Sequence, residues 1–140
     1  MVFTGCISVI QRSGPHILDL VHWTYVDKAV LSPRHGSFDS RLVEPGPPPL
    51  ITSQGILLIY NSADNNLRYS IGYSLFNPHN PTQLIRRSPY PILEPTEDLE
   101  REGQVADVVF TEGLVAFHGR WFLYYGMADS RIGVALLDDQ

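Results

Sequence analysis

Carboxylates and aromatic side chains occur together on two segments that the sequence predicts to be loops. One segment spans residues 35–49 and is rich in Pro and Gly, and the other spans 88–104 and carries an acidic run. Sugar hydroxyls need hydrogen-bond acceptors and donors, and the apolar face of a sugar ring packs on aromatic rings. Carboxylates with Arg, Asn and Tyr nearby therefore suit a sugar ligand. The candidate carboxylates are Asp39, Glu44, Glu100, Glu102, Asp107 and Asp129.

Other common chemistries have no support in the sequence. The chain contains no Gly-x-Ser-x-Gly elbow, no Walker loop, no Gly-x-Gly-x-x-Gly and no His-Glu-x-x-His. Its His residues lack the spacing of metal ligands, so we expect no metal and no cofactor. Fifteen Asp and Glu against ten Lys and Arg give a net charge of −5, and Lys28 is the only lysine. A basic surface for nucleic acid is therefore not expected.

Length and cysteine content favour one domain in a reducing compartment. A chain of 140 residues with 44% hydrophobic content can build a single core. Cys6 is the only cysteine, so an internal disulfide is impossible. The sequence has no apolar run of the roughly 20 residues that span a membrane, and its first residues do not resemble a signal peptide. We therefore expect a cytoplasmic protein without a membrane partner.

An internal repeat indicates the fold class. Residues 50–76 resemble residues 109–137, because both contain an apolar strand, a Gly turn, an aromatic strand, an Ala-Asp turn and an Ile-Gly strand. The segment 6–10 begins a third, partial copy. A period near 60 residues made of short strands is typical of β-propeller blades. The sequence thus predicts an all-β partial propeller, with a β-sandwich as the alternative.

The repeat also divides the chain and predicts its elements. We expect one domain over 1–140, with the end of one blade in 1–33, a second blade in 34–95 and a third in 96–140. Residues 55–60 and 121–125 are apolar on both faces, which predicts inner strands. A helical turn with Thr96 as its N-cap is expected at 96–102. These two to two and a half blades cannot close, so we expect a homodimer that covers the open blade faces.

Several motifs occur together in an order and spacing typical of one enzyme family. They are Phe38-Asp39-Ser40 followed by the sequence from Glu44 to Pro48, the strand from Gly55 to Asn61, and the motif from Tyr124 to Asp129. In these motifs the sequence resembles glycoside hydrolase family 130, and order and spacing agree from about Asp19 onward. That family comprises five-bladed propellers acting on β-mannosides and related glycosides, some by phosphorolysis and some by hydrolysis. The resemblance covers only the C-terminal part of the family's fold, and it implies that the proton-donating aspartate of phosphorolytic members lies in blades outside this chain.

The resemblance also implies which residues face the axial pocket, and it favours hydrolysis. Phosphorolytic members carry a His where this chain has Asn61, and they tend to carry Gly where it has Glu44. A carboxylate repels a phosphate dianion and can activate water instead. Glu44 and Glu102 are accordingly the candidate catalytic pair, which inverting hydrolysis would place about 6.5–9.5 Å apart. The candidate substrate-binding residues are Asp39, Arg41, Asn61, Arg101, Asp107, Tyr125 and Asp129.

Alternative interpretations stay open at this point. The chain could be a non-catalytic sugar-binding module or remnant, or a phosphate-dependent phosphorylase. Among single residues, Asp64 and Asp129 occupy matching Ala-Asp turns, so a shared structural role is as reasonable as a functional one. The side chains of Arg86 and Arg87 are expected to lie on the surface.

Overall fold

Ten strands and one short helix form the part of the chain that the structure describes. The computed structural model covers residues 6–11 and 24–138, and the described part is all-β apart from one helical turn, as predicted. The elements are β1 (Ile7–Gln11), β2 (Thr24–Leu31), β3 (Leu42–Pro45), β4 (Leu50–Thr52), β5 (Gly55–Ala63), β6 (Tyr69–Asn77), β7 (Asn80–Arg87), α1 (Asp98–Arg101), β8 (Val109–Phe117), β9 (Arg120–Met127) and β10 (Arg131–Asp138).

The strands form three antiparallel sheets that follow one another along the chain. The first sheet pairs β1 with β2, the second contains β3 to β7, and the third has the order β10-β9-β8. In the second sheet, β3 pairs with the end of β5 and β4 pairs with its start. Together β3 and β4 therefore act as one edge strand, interrupted at the three prolines after Gly46, whose own N–H still donates to the Ile59 carbonyl of β5 (3.2 Å). Proline lacks the N–H that a continuous ladder requires.

The repeat seen in the sequence is present in the strand pairing. The predicted inner strands, 55–60 and 121–125, lie in β5 and β9, and each of these strands is paired on both sides. Tyr60 lies opposite Gly72 in one sheet, and Tyr125 lies opposite Gly133 in the other. A Cβ at either glycine would overlap the tyrosine ring. The same aromatic-over-glycine packing thus recurs in both sheets.

A hydrophobic core joins the first two sheets. Its buried residues are Leu31, Val43, Leu58, Tyr60 and Phe76. Partly buried side chains, including those of Ile7 and Phe38, pack around them. These residues come from β2, β3, β5 and β6, so the core fixes the broken edge strand against its neighbours.

A buried amide joins the second sheet to the third. The Asn61 side chain donates to the carbonyl of Thr111 (2.9 Å) and accepts from the backbone N–H of Thr111 (2.7 Å). It also donates to the carbonyl of Pro45 (3.3 Å). Asn61 is fully buried, and its side-chain amide pairs with both the N–H and the carbonyl of Thr111, as the backbone of a neighbouring strand would. This bridge sets the distance between β3 and β8.

The helix begins later than the sequence analysis placed it. Its N-cap is Glu97, and the prediction of Thr96 was wrong. The Glu100 carboxylate accepts hydrogen bonds from the backbone N–H groups of both Thr96 (2.8 Å) and Glu97 (3.0 Å). The carboxylate at the third helical position thus accepts from the N–H of the N-cap residue Glu97, as in a capping box, and also from that of Thr96.

Candidate functional site

A cleft of about 340 Å³ lies where the second and third sheets meet. Glu44 reaches it from β3 and Tyr69 from the start of β6. Phe110 of β8 and Asp129, in the turn between β9 and β10, form the opposite side. A second concavity of about 320 Å³ shares Phe110 and Asp129 with the first and adds Glu112 and Tyr124. Two carboxylates from different sheets therefore flank one opening with aromatic walls.

Backbone and amide contacts hold the two sides of the cleft together. Glu44 is paired opposite Asn61, whose side chain binds Thr111, the residue after Phe110. On the other flank the N–H of Tyr69 donates to the carbonyl of Asp107 (2.9 Å). Because both flanks are tied by hydrogen bonds, the positions of Glu44 and Phe110 depend on the buried Asn61 bridge.

Charge around Tyr69 makes the cleft acidic. Burial raises the pKa of the Tyr69 hydroxyl, and the carboxylates of Glu44 and Asp129 raise it further, while Arg41 opposes them. Tyr69 thus remains a hydrogen-bond donor at neutral pH. Within residues 24–138 no side-chain hydrogen bond occupies the carboxylate of Glu44 or Asp129. Both are therefore available to accept hydrogen bonds from a ligand.

The two matching Ala-Asp turns differ in what the aspartate does. The Asp64 carboxylate accepts from the backbone N–H groups of Asn66 (2.8 Å) and Arg68 (3.0 Å), which closes its own turn. Ala128 (φ 47°) and Asp129 (φ 50°) are the two left-handed central residues of the β9–β10 hairpin turn, which the N–H of Ser130 closes by donating to the Met127 carbonyl (3.0 Å). Asp is one of the residues that such turns favour, so a structural role also applies to Asp129. Asp129 differs from Asp64 in that it lines the cleft.

The predicted loop residues lie at the edge of the site. Arg101, Glu102 and Asp107 are exposed, and none of them lines the cleft. Glu102 follows directly after α1, whereas Val105 of the same loop reaches the cleft wall. The structure brings Glu44 together with Asp129, and the pairing of Glu44 with Glu102 stays a prediction.

Asp39 is the centre of a buried ion-pair network. Its carboxylate binds the guanidinium groups of Arg34 (2.9 Å) and Arg87, and accepts a hydrogen bond from the Tyr60 hydroxyl (2.9 Å). Burial opposes ionisation, but these contacts outweigh it and lower the pKa of Asp39. Internal groups thus occupy the carboxylate that the resemblance assigned to the pocket. The Arg87 side chain is only 9% exposed, so the surface position expected for it was wrong.

Tyr125, Tyr69, Phe110 and Glu112 also line the cleft or the second concavity. The Tyr125 hydroxyl donates to Glu100 (2.8 Å) while its ring lines the second concavity. The sequence pattern does not mark Tyr69, Phe110 or Glu112 as candidates. Glu112 is the extra residue of a β-bulge between Thr111 and Gly113. A lone glycine within an apolar strand was the available signal for that bulge.

The described residues contain neither a metal cluster nor a membrane-spanning helix. In residues 6–11 and 24–138, no group of three or more His, Cys, Asp or Glu side chains is placed to hold a metal ion. No helix in these ranges is long and apolar enough to cross a membrane.

Comparison with known proteins identifies the family. The sequence pattern of the family described as β-1,4-mannooligosaccharide phosphorylase matches residues 14–140. The chain belongs to glycoside hydrolase family 130. It is 40% identical over 120 residues to a 1,2-β-oligomannan phosphorylase of Thermoanaerobacter sp. (strain X514), covering 86% of this chain. Only 40% of that relative is covered, so this family 130 chain spans about two fifths of its length.

Solved structures of family 130 share the fold. One is the β-1,2-mannobiose phosphorylase of Listeria innocua in complex with β-1,2-mannobiose, which is 32% identical in sequence to this chain and has a TM-score of 0.82. The match covers 99% of this chain and 38% of the Listeria chain. Another structure has 39% identity and a TM-score of 0.79, over 86% and 38% of the two chains. Its description says that family 130, a family of mannoside phosphorylases, contains glycoside hydrolases that target β-1,2 mannosidic linkages in Candida mannan. The predicted partial β-propeller is confirmed.

Proposed function

We propose that this family 130 chain binds a β-mannoside in the cleft between Glu44 and Asp129 and belongs to a hydrolytic enzyme. The observation that carries the proposal is the position of these two carboxylates on opposite sides of one opening, with Tyr69 and Phe110 between them. Carboxylates flanking a sugar that packs on aromatic rings are the usual arrangement of a glycoside hydrolase.

Each side chain of the cleft has a distinct part in this proposal. Asp129 accepts hydrogen bonds from sugar hydroxyls, and the protonated Tyr69 donates one. Phe110 packs against the apolar face of the ring. Glu44 takes a proton from the attacking water, since a carboxylate on the far side of the sugar is the general base of inverting hydrolysis. Glu102, on the loop whose Val105 borders the cleft, remains the proposed general acid: it gives its proton to the glycosidic oxygen as the bond from that oxygen to the anomeric carbon breaks and the water oxygen bonds to that carbon.

The charge of the cleft supports hydrolysis over phosphorolysis. Glu44 and Asp129 both act on Tyr69 as negative charges, with Arg41 as the opposing cation. A phosphate dianion placed there would meet two carboxylates. Asn61 gives no help to phosphate, because Thr111 and Pro45 occupy its amide. Phosphorolysis is the second candidate, since the curated relative from Thermoanaerobacter is named a phosphorylase.

The proposed cleft can be tested by titrating ¹⁵N-labelled protein with β-1,2-mannobiose. We expect amide shifts to concentrate at Tyr69, Phe110 and Asp129, because these residues line the cleft from three different elements. Cellobiose, a β-linked disaccharide of glucose, serves as the matched control and should cause much smaller shifts. Shifts confined to residues away from the cleft, or no shifts at all, would contradict the proposal.

We also propose that two copies of the chain associate through the open face of the third sheet. Ile132 (80% exposed), Phe117 (60%) and Leu136 (50%) lie on one face of this sheet, with Val134 beside them. An apolar surface of this kind is typical of an interface. Light scattering should give twice the chain mass, and Leu136→Asp should give the monomer mass. A wild-type protein that stays monomeric over a wide concentration range would contradict the dimer.

The proposed location is the cytoplasm. Cys6 is an exposed free thiol in the structure. Exposed thiols persist in a reducing compartment and tend to oxidise elsewhere. Mass spectrometry of the protein as isolated from its cells should find Cys6 reduced, and a disulfide adduct would contradict this location.

A further inference from the structure

The acidic loop, defined here as residues 101–107, is fastened to the turn that carries Asp129. The N–H of Gln104 donates to the Ser130 hydroxyl (2.9 Å), and the N–H of Val105 donates to the Ala128 carbonyl (3.3 Å). At the end of the loop, the N–H of Ala128 donates to the carbonyl of Val108 (2.9 Å). The loop and the turn therefore form one hydrogen-bonded unit beside the cleft.

A glycine permits this close approach. A Cβ at Gly103 would overlap the carbonyl oxygen and the Cβ of Ala128. The hydroxyl of Ser130 would lie in the same space. The loop can thus lie directly on the turn only because residue 103 has no side chain.

Glu100 is the buried anchor at the start of the acidic loop. It is 2% exposed, and one carboxylate oxygen accepts from the N–H groups of Thr96 and Glu97. The other oxygen accepts from the Tyr125 hydroxyl of β9 (2.8 Å). The backbone carbonyl of Glu100 accepts from Val108 (3.0 Å), at the far end of the loop. Both ends of the loop are thereby connected to Glu100 and, through Tyr125, to β9.

We propose that Glu100 is a positioning residue for the cleft: through Tyr125 it holds the acidic loop against the Asp129 turn. Asp129 and Val105 line the cleft, whereas the carboxylate of Glu100 is buried and bonded to protein groups. Glu100 therefore acts on a ligand only through these neighbours. The inference rests on the proposed function, because it assumes that the cleft binds the sugar.

The ionisation of both groups agrees with a permanent anchor. Burial opposes ionisation of Glu100, but hydrogen bonds from Glu97, Thr96 and Tyr125 outweigh it and lower the pKa. Burial, together with the hydrogen bond to Glu100 and its charge, raises the pKa of Tyr125 to about 12. At neutral pH a charged acceptor thus faces a protonated hydroxyl, which is a strong kind of hydrogen bond.

Two variants and a control separate this role from general damage to the fold. Glu100→Gln keeps the shape but replaces one accepting oxygen by an NH₂ group, and Tyr125→Phe removes only the hydroxyl. Asp98→Asn removes a charge from an exposed position of the same helix and is the control. Measurements are amide hydrogen exchange, the Kd for β-1,2-mannobiose and the NMR titration of the Tyr125 ring.

We expect both variants to loosen the loop and weaken sugar binding. Exchange at Gln104, Val105 and Ala128 should accelerate at least about tenfold, since a hydrogen bond to a charged group is lost. Exchange at the β5–β6 pairs should not change. The Kd should rise about tenfold in both variants, and the control should match the wild type. In Glu100→Gln the pKa of Tyr125 should fall towards the ordinary value for tyrosine.

Distinct outcomes overturn the inference and the proposed function. Unchanged loop exchange in both variants would show that Glu100 does not hold the loop. Faster exchange with an unchanged Kd would show that the loop does not position the sugar site. A wild-type protein without affinity for mannoside would overturn the proposed function, and the positioning role with it, while the exchange rates would still show whether Glu100 holds the loop.

Discussion

Replacing Glu44 with Gln should lower mannose release from β-1,2-mannobiose by about 10²–10⁴-fold, the usual contribution of a general base. Gln has the same shape and can still accept a hydrogen bond, but it cannot take a proton from water. KM should change much less than kcat, because the side chain would still fill its place in the cleft. The measurement is the initial rate of mannose release in phosphate-free buffer.

A matched variant distinguishes this effect from a general loss of negative charge. Glu94→Gln makes the same chemical change at a half-exposed position outside the residues that line the cleft. It should retain the wild-type rate. Equal rates for wild type and Glu44→Gln would remove Glu44 from the chemistry and direct attention to Asp129 and Glu102.

Replacing Asp39 with Asn should lower the free energy of unfolding by about 3–5 kcal/mol, as removal of one partner from a buried ion pair does. The change leaves the guanidinium of Arg87 buried without its carboxylate and weakens the contact to Arg34. Because the network connects the segment before β3 with the end of β7, the damage should affect the whole second sheet. Urea unfolding followed by circular dichroism measures the loss.

In the same variant, the free energy of unfolding should also lose the part of its pH dependence that comes from Asp39. The pKa of Asp39 is lower in the folded protein than its ordinary value of 3.8. Its contribution to stability is therefore complete above that value and is lost as the pH falls through the folded-state pKa. Asp39→Asn should lack this component, while Asp98→Asn, at an exposed position, should keep it. A stability near that of the wild type for Asp39→Asn would contradict the network's role.

The local order of strands could be predicted from the sequence because it depends on neighbouring residues. Apolar residues on both faces predicted that 55–60 and 121–125 are inner strands, and the pairing confirms that β5 and β9 are the middle strands of their sheets. The predicted covering of both faces is not seen for β9, whose Tyr124 is 44% exposed. The Ile-Gly motif marked the glycines that lie opposite Tyr60 and Tyr125. The sequence pattern also placed Glu44 and Asp129 among the candidates, and the structure brings them to one cleft.

The roles of buried polar side chains could not be predicted because their partners are distant in sequence. Asp39 binds Arg87, 48 residues away, and Asn61 binds Thr111, 50 residues away. A pattern of residue types cannot distinguish a buried carboxylate with internal partners from one that faces a ligand. For the same reason Tyr69 was missed, since only the approach of Asp129 and Glu44 to its hydroxyl gives it a place in the site.

The most direct test of the proposed hydrolysis is product analysis with wild-type protein and β-1,2-mannobiose, with and without inorganic phosphate. We expect mannose as the product in both conditions, at a rate that phosphate does not raise. Mannose 1-phosphate formed only in the presence of phosphate would show that the cleft serves phosphorolysis. Binding of the disaccharide without either product would show a sugar-binding module and contradict the catalytic role of Glu44.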